Sequence, residues 1–188
     1  MLKHVEYIVM AISACLSVGL AGTRSAHATG GKQLAGGTQL RNLHSQKCVE
    51  IPRASKAANT RVDQWTCVEQ DNERWNYLPV EALGAPYELR DAVRLQNQAT
   101  KMCLTATGTS NGSAVVQKPC DLNRPDRQQA WKTVRRAKTT PGYEYLYNVY
   151  SGKCLDVPAY SKRDGVGLDI WSCGIENRPV KANQLFTT

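Results

Sequence analysis

Apolar and polar residues along this chain come in short runs of the length of β-strands. Val62-Asp63-Gln64-Trp65, Val115-Val116-Gln117-Lys118 and Leu168-Asp169-Ile170-Trp171 each lead within two residues to a cysteine, and Leu40-Arg41-Asn42-Leu43, Leu95-Gln96-Asn97 and Tyr147-Asn148-Val149 form a second set. Polar turns rich in Ser, Thr, Gly and Lys separate them, which is the grammar of hairpins. No long stretch repeats its apolar residues at the 3.6-residue period of a helix, so an all-β domain of short strands and turns is expected. The exception is the apolar run Ile8-Val9-Met10-Ala11-Ile12-Ser13-Ala14-Cys15-Leu16-Ser17-Val18-Gly19-Leu20-Ala21 near the start.

The short runs fall into a threefold repeat. Cys48 with Cys67, Cys103 with Cys120 and Cys154 with Cys173 form three pairs of nearly equal span. Asn42, Asn97 and Asn148 each stand six residues before the first cysteine of a pair. Each unit closes on a variation of Gln-x-Trp: Glu73-Arg74-Trp75, Gln129-Ala130-Trp131 and Gln184-Leu185-Phe186. Such self-similarity means one small unit repeated around a shared core. Trp75, Trp131 and Phe186 are expected as core wedges, because large rings are the main means by which a small β domain fills its centre. Each disulfide would close a loop of about 20 residues, worth about 3 kcal/mol on the loop-entropy account.

Charge and the first residues add a compartment to this picture. Lys3, the apolar run and Ala26-His27-Ala28 read as an export signal over residues 1–28, with cleavage before Thr29. The run is short and followed by that cleavage pattern, which argues against a membrane anchor. Ile12-Ser13-Ala14-Cys15 also fits a lipobox, under which Cys15 would carry lipid, but apolar residues continue past Cys15 where a lipoprotein turns polar. Loss of 1–28 leaves 22 basic and 15 acidic residues, a net charge of +7 against +8 for the whole chain. It also leaves six cysteines, an even set suited to disulfides in an oxidising compartment. Gly30, Gly31, Gly36 and Gly37 mark a flexible leader over 29–37, so the domain is expected over 38–188. Basic residues such as Arg41, Lys47, Arg53, Arg135, Arg136 and Lys138 are scattered, which reads as a solvated positive surface; attraction to acidic polysaccharide is the alternative, and no nucleic-acid recognition motif is present.

A cysteine pair in each unit, a strand ending in Trp-x-Cys and a closing Gln-x-Trp, in phase three times, resemble the ricin-type lectin family over about residues 38–188. The resemblance implies a β-trefoil with shallow sugar pockets, one for each unit, most often for galactose or N-acetylgalactosamine. Family pockets use an Asp two residues after the first cysteine, an aromatic two before the second, and an Asn-Gln pair before the closing aromatic. The third unit matches with Asp156, Trp171, Asn183 and Gln184, and Asp169 lies on the strand of the ring. The chemistry fits: an indole stacks on the apolar face of a pyranose, a carboxylate accepts from neighbouring hydroxyls, and Asn183 offers a hydroxyl both donor and acceptor while Gln184 braces Asp156.

The other units depart from that pattern. Unit one keeps Trp65 and Asn72 but has Glu50 for the Asp and Glu73 for the bracing Gln, so two carboxylates are expected to face each other, repelling or sharing a proton, and Glu50, Asp63, Trp65, Asn72 and Glu73 would make a weakened or altered second sugar site, or none. Asp63, like Asp169, holds a strand position where the family often has Gln. Some lectins of this family recruit calcium with such carboxylates; solvated acids with no metal are the expectation here. Unit two has Thr105 for the Asp and Lys118 for the ring, so it is expected to be structural.

An enzyme needs a nucleophile with its base, a carboxylate dyad or a metal set, and beyond residue 28 the chain has one histidine, His44. No enzymatic activity and no cofactor are expected. The leading expectation is a secreted lectin for galactose-type glycans on cell-surface glycoconjugates, through unit three. The alternatives are the glycan-binding subunit of a multi-chain toxin similar to cytolethal distending toxin, and a trefoil protease inhibitor or acidic-polysaccharide binder.

Overall fold

The computed structural model describes residues 36–80, 87–122, 126–135, 140–175 and 180–188. All lie in the unit Leu34–Thr188. The expected export signal, Cys15, Arg136 and Lys138 fall outside the described residues.

Thirteen short strands follow one another: β1 Thr38–Gln39, β2 Cys48–Glu50, β3 Asp63–Trp65, β4 Arg74–Pro79, β5 Val93–Asn97, β6 Met102–Ala106, β7 Ser113–Pro119, β8 Trp131–Val134, β9 Tyr143–Asn148, β10 Lys153–Asp156, β11 Val166–Gly167, β12 Asp169–Trp171 and β13 Leu185–Thr187. Six of them close a ring of antiparallel pairs, β1 with β4, β4 with β5, β5 with β8, β8 with β9 and β9 with β13. The bridge of Asn42 to Phe186 returns β13 to the segment after β1. Three hairpins, β2 with β3, β6 with β7 and β10 with β12, cover one end of this barrel. They touch one another through β11 on β3, β12 on β7 and the Arg61 to Val116 bridge. A six-stranded barrel capped by three hairpins is a β-trefoil, as expected, and it removes exposed sheet edges by closure.

Its core repeats in threes because the sequence does. Leu40, Leu95 and Leu146, then Val49, Leu104 and Leu155, then Val62, Val115 and Leu168 occupy matching places and are fully buried. Trp75, Trp131 and Phe186 fill the middle, also fully buried. The Trp75 and Trp131 indole N–H groups donate to Val49 O at 2.9 Å and Leu104 O at 3.0 Å, so each ring is a polar as well as an apolar anchor. The disulfides join Cys48 to Cys67, Cys103 to Cys120 and Cys154 to Cys173.

The recurrent asparagines couple each repeat to the one before it. Asn97 Nδ2 donates to Asn72 O at 2.8 Å and Arg74 O at 3.4 Å, and Asn148 Nδ2 donates to Gln128 O at 3.0 Å and Ala130 O at 3.3 Å. Asn42 Nδ2 reaches Asn183 O at 3.0 Å and Leu185 O at 3.2 Å, so the first repeat is tied to the third. On its other side each amide oxygen caps its own hairpin turn, accepting from Ser45 N, Thr100 N or Ser151 N.

One boundary differs from expectation. Gly37, assigned to the leader, is buried: its N–H donates to Gln98 Oε1 at 2.6 Å, and a Cβ there would lie 2.8 Å from the Trp75 carbonyl carbon. A glycine is required by that close approach to backbone, which a leader assignment from composition misses.

Replacing Asn97 with Ala removes hydrogen bonds across two repeats from a fully buried position. Urea unfolding should show a loss of about 2 kcal/mol with an unchanged m-value. A cost within ~0.5 kcal/mol, typical of an exposed position, would deny the asparagine this role.

Candidate functional site

In the third repeat, strand pairing sets Asp156 of β10 directly across from Asp169 of β12, and Cys154 across from Trp171. A cleft of about 460 Å³ opens beside them, lined by Asp156, Pro158, Ala159, Tyr160, Trp171, Lys181 and Asn183. Asn183 Nδ2 donates to Asp156 Oδ1 at 2.9 Å and to Val157 O at 3.0 Å, and Gln184 Nε2 donates to the same Asp156 Oδ1 at 2.9 Å. Both amides therefore donate to one carboxylate oxygen, and neither reaches the other, Oδ2. Gln184 is itself held, its Oε1 accepting from Gly174 N at 2.7 Å.

Three sequence expectations are refined by this geometry. Gln184 braces Asp156 as anticipated, but from a fully buried position behind the cleft. Asn183 does not offer a hydroxyl both donor and acceptor: its N–H groups are consumed, and what remains is Oδ1, buried without a protein partner. Asp169, across the strand from Asp156, is absent from the cleft lining, with its Oδ1 also unpartnered.

Trp171 is 42% exposed, its ring held over Gly112 of the second repeat at 3.9 Å from where a Cβ would sit. Trp65 stands the same way over Gly165, at 3.6 Å. These glycines have φ +82° and +73°, and the third equivalent, beside the ring-less Lys118 strand, is Asn59 at φ 65°. Glycine and asparagine tolerate that left-handed conformation at low cost.

The lip of the cleft was not foreseen from sequence. After Pro158, Ala159 and Tyr160 take φ of 54° and 52°, and after Pro52, Arg53 and Ala54 take 53° and 50°. Consecutive left-handed non-glycine residues cost about 1–2 kcal/mol each, and here they turn the chain back over both clefts. His44 of the first repeat holds the lip of the third, its Nε2 within 2.9 Å of Tyr160 O and its ring edge-on to the Tyr160 ring at 5.2 Å. The phased motifs Ile51-Pro52-Arg53-Ala54-Ser55 and Val157-Pro158-Ala159-Tyr160-Ser161 carried a signal for this turn. The second repeat has no counterpart motif.

The first repeat builds a second cleft, of about 600 Å³, lined by residues including Glu50, Arg53, Asp63, Trp65, Gln70, Asn72 and Gly165. Glu50 and Asp63 face each other across β2 and β3. Asn72 Nδ2 donates to Glu50 Oε2 at 2.6 Å and to Ile51 O at 3.0 Å, reproducing the Asn183 pattern. The expected confrontation of Glu50 with Glu73 takes another form. Glu73 is fully buried, and its oxygens accept from Val68 N at 3.0 and 2.9 Å, Glu69 N at 3.0 Å and Gln39 Nε2 at 2.9 Å. Those N–H groups hold Glu73 in place while its charge still acts on Glu50, and the carboxyl that hydrogen-bonds Glu50 is Asp63.

The second repeat keeps only the frame. Thr105 Oγ1 donates to its neighbour Cys103 O at 2.9 Å, and Gln129 donates to Pro119 O at 2.9 Å while accepting from Asp121 N at 3.0 Å. Those two Gln129 bonds match the Gln184 bonds to Ser172 O and Gly174 N. Among the described residues, no group of three or more His, Cys, Asp or Glu is placed to hold a metal ion.

Burial governs the acids of both clefts. It is the largest cause pushing Asp156 up to about 7, with Asp169 across the strand adding to it while Gln184, Lys181 and Asn183 oppose it. Burial also pushes Asp169 up to about 6 against the pull of Arg61. Asp63 rises to about 7 through burial, then the charge of Glu50 and its hydrogen bond. Glu50 is raised by burial and by Glu73.

The family model for the ricin-type β-trefoil lectin domain matches residues 36–178, and the chain belongs to that family. Among solved structures, a designed threefold symmetric protein, ThreeFoil, superposes with a TM-score of 0.65 at 25% identity, covering 79% of this chain and 94% of that one. The exo-β-1,3-galactanase 1,3Gal43A from Clostridium thermocellum gives 0.63 at 20% identity, with 79% of this chain matching only 29% of the larger enzyme. The Haemophilus ducreyi cytolethal distending toxin gives 0.58 at 15% identity, over 79% of this chain and 80% of that one. No sequence relative matches among curated proteins.

Raised carboxyls fix a sign for the pH dependence of stability. The folded state holds protons that the unfolded chain, with Asp near 3.8, gives up, so the contribution is fully present below that value and is lost as pH rises toward about 7. Asp63→Asn should therefore gain in melting temperature relative to the parent as pH goes from 5 to 8. A gap that does not change with pH would contradict the buried-acid assignment.

Proposed function

We propose that this protein is a secreted lectin that takes galactose-type sugars in the third-repeat cleft. The observation that carries this reading is the unfinished hydrogen bonding around an exposed ring: Asp156 with one oxygen free, Asn183 Oδ1 unpartnered, and Trp171 beside them. A sugar edge supplies hydroxyl donors to both oxygens, and its apolar face covers the indole, a stacking worth about 0.5–1.5 kcal/mol beyond burial. Lys181, at the rim, can donate to a further hydroxyl. A shallow cleft of this kind holds a monosaccharide with Kd on the order of 1 mM, about −4 kcal/mol, so firm attachment needs clustered glycans.

Family membership supports carbohydrate binding, and the three disulfides together with the export-signal pattern support secretion. In this reading the acids serve as hydrogen-bond acceptors, so the protein is a binder without catalytic activity. The same cleft would serve the glycan-binding subunit of a multi-chain toxin, a role that the likeness to the Haemophilus ducreyi toxin brings into view; a partner chain that co-purifies would favour it.

A glycan array of the parent beside Asp156→Ala and Trp171→Ala tests the assignment. Each variant should lose galactose-terminated signal at least about tenfold, or ~1.4 kcal/mol, with free galactose competing in the parent, while Lys118→Ala leaves the profile intact. An unchanged profile in Asp156→Ala would defeat the site.

A further inference from the structure

The clefts of the first and third repeats share a backbone but not a charge. In the third, Asp156 has Lys181 near it and Asp169 has Arg61. In the first, the place of Lys181 is taken by Gln70, the place of Arg61 by the uncharged Ala114 of the second repeat, and Glu73 adds a carboxylate where Gln184 is neutral. The leading charges that raise these acids are carboxylates, Glu73 and Asp164 for Glu50 and Glu50 and Asp164 for Asp63. Asp164 is paired with Lys47. Arg53 is on the lip, exposed, and makes no ion pair with either carboxylate among the described residues. Asp63 is 8% exposed, lines the cleft, and has an Oδ1 with no hydrogen-bond partner.

We infer that the first-repeat cleft selects a pyranose bearing a protonated amine, a de-N-acetylated hexosamine unit, with the ammonium between Glu50 and Asp63 and the ring on Trp65. The inference rests on the reading that these clefts bind sugars. An ammonium has three N–H donors and no acceptor, which suits two carboxylates that offer acceptors alone. It also takes over the task of the shared proton, separating two like charges that cannot both ionise side by side. A half-exposed indole, 42% for Trp65, adds stacking and attraction for a nearby cation. An N-acetylated or neutral sugar leaves the pair without a counter-charge. The two clefts would thus read different decorations of related glycans.

The test uses the full chain with Trp171→Ala, which silences the third cleft, titrated with galactosamine, N-acetylgalactosamine, galactose and ethanolamine while Trp65 is followed by NMR. Galactosamine should bind at least tenfold more tightly than its N-acetylated form, and Glu50→Gln with Asp63→Asn, isosteric changes checked by thermal melting, should abolish that preference. Equal binding of galactosamine and N-acetylgalactosamine, a preference that survives in the double variant, or ethanolamine binding as well as galactosamine would each overturn the inference. So would no galactosamine binding at all. Because the array signal of the parent reports on the third cleft, loss of the lectin reading and loss of this one are seen separately.

Discussion

Each repeat of this trefoil is finished by its neighbour, and one buried asparagine in each makes the connection. Asn42, Asn97 and Asn148 use their N–H groups on carbonyls of the preceding repeat and their oxygen on their own hairpin turn. A buried amide left without partners costs about 1–3 kcal/mol, so each hairpin turn is stabilised by the presence of the repeat before it. Since Asn42 reaches the third repeat, the dependence runs round a closed circle. The buried aromatic wedges and the three disulfides each add to this arrangement.

The frame that results is indifferent to what occupies the hairpin surface. One residue near the end of each repeat shows the separation: Gln129, Gln184 and Glu73 all accept from the backbone N–H just after the second cysteine of their repeat. Gln129 also donates to Pro119 O and, at 3.3 Å, to Thr105 Oγ1, which stands where the other repeats have an acid. Gln184 has a donor to spare for Asp156, and Glu73 has none, so it draws in Gln39 instead. A single change of amide to acid thus leaves the fold intact and alters the charge of the cleft in front of it. The strained lips after Pro52 and Pro158 follow the same division, present where a cleft is built and missing from the second repeat.

Much of the fold was legible because its causes are local or periodic. Three cysteine pairs, three asparagines at one offset and three closing aromatics state the repeat number, the all-β class and the core wedges without reference to any contact. Asp156, Trp171, Asn183 and Gln184 were likewise readable as a set, since each sits at a fixed offset from a cysteine or from the closing ring. The lip residues, Tyr160 among them, were readable only by laying two repeats side by side, and Lys181 not even then, because its place at the cleft depends on a segment from further along the chain.

What the sequence determined alone was the inventory: which side chains stand at equivalent places, and in which repeat each has changed. What only the tertiary structure decided was how that inventory is spent. Asn183 has its donors consumed, Glu73 is held by amides while its charge still acts on Glu50, Asp169 is absent from the lining of its cleft while Asp63 lines one, and His44 of one repeat steadies the lip of another. Hydrogen-bond partners and counter-charges come from residues far apart in the chain, and their directions follow from packing, which no spacing along one strand can specify.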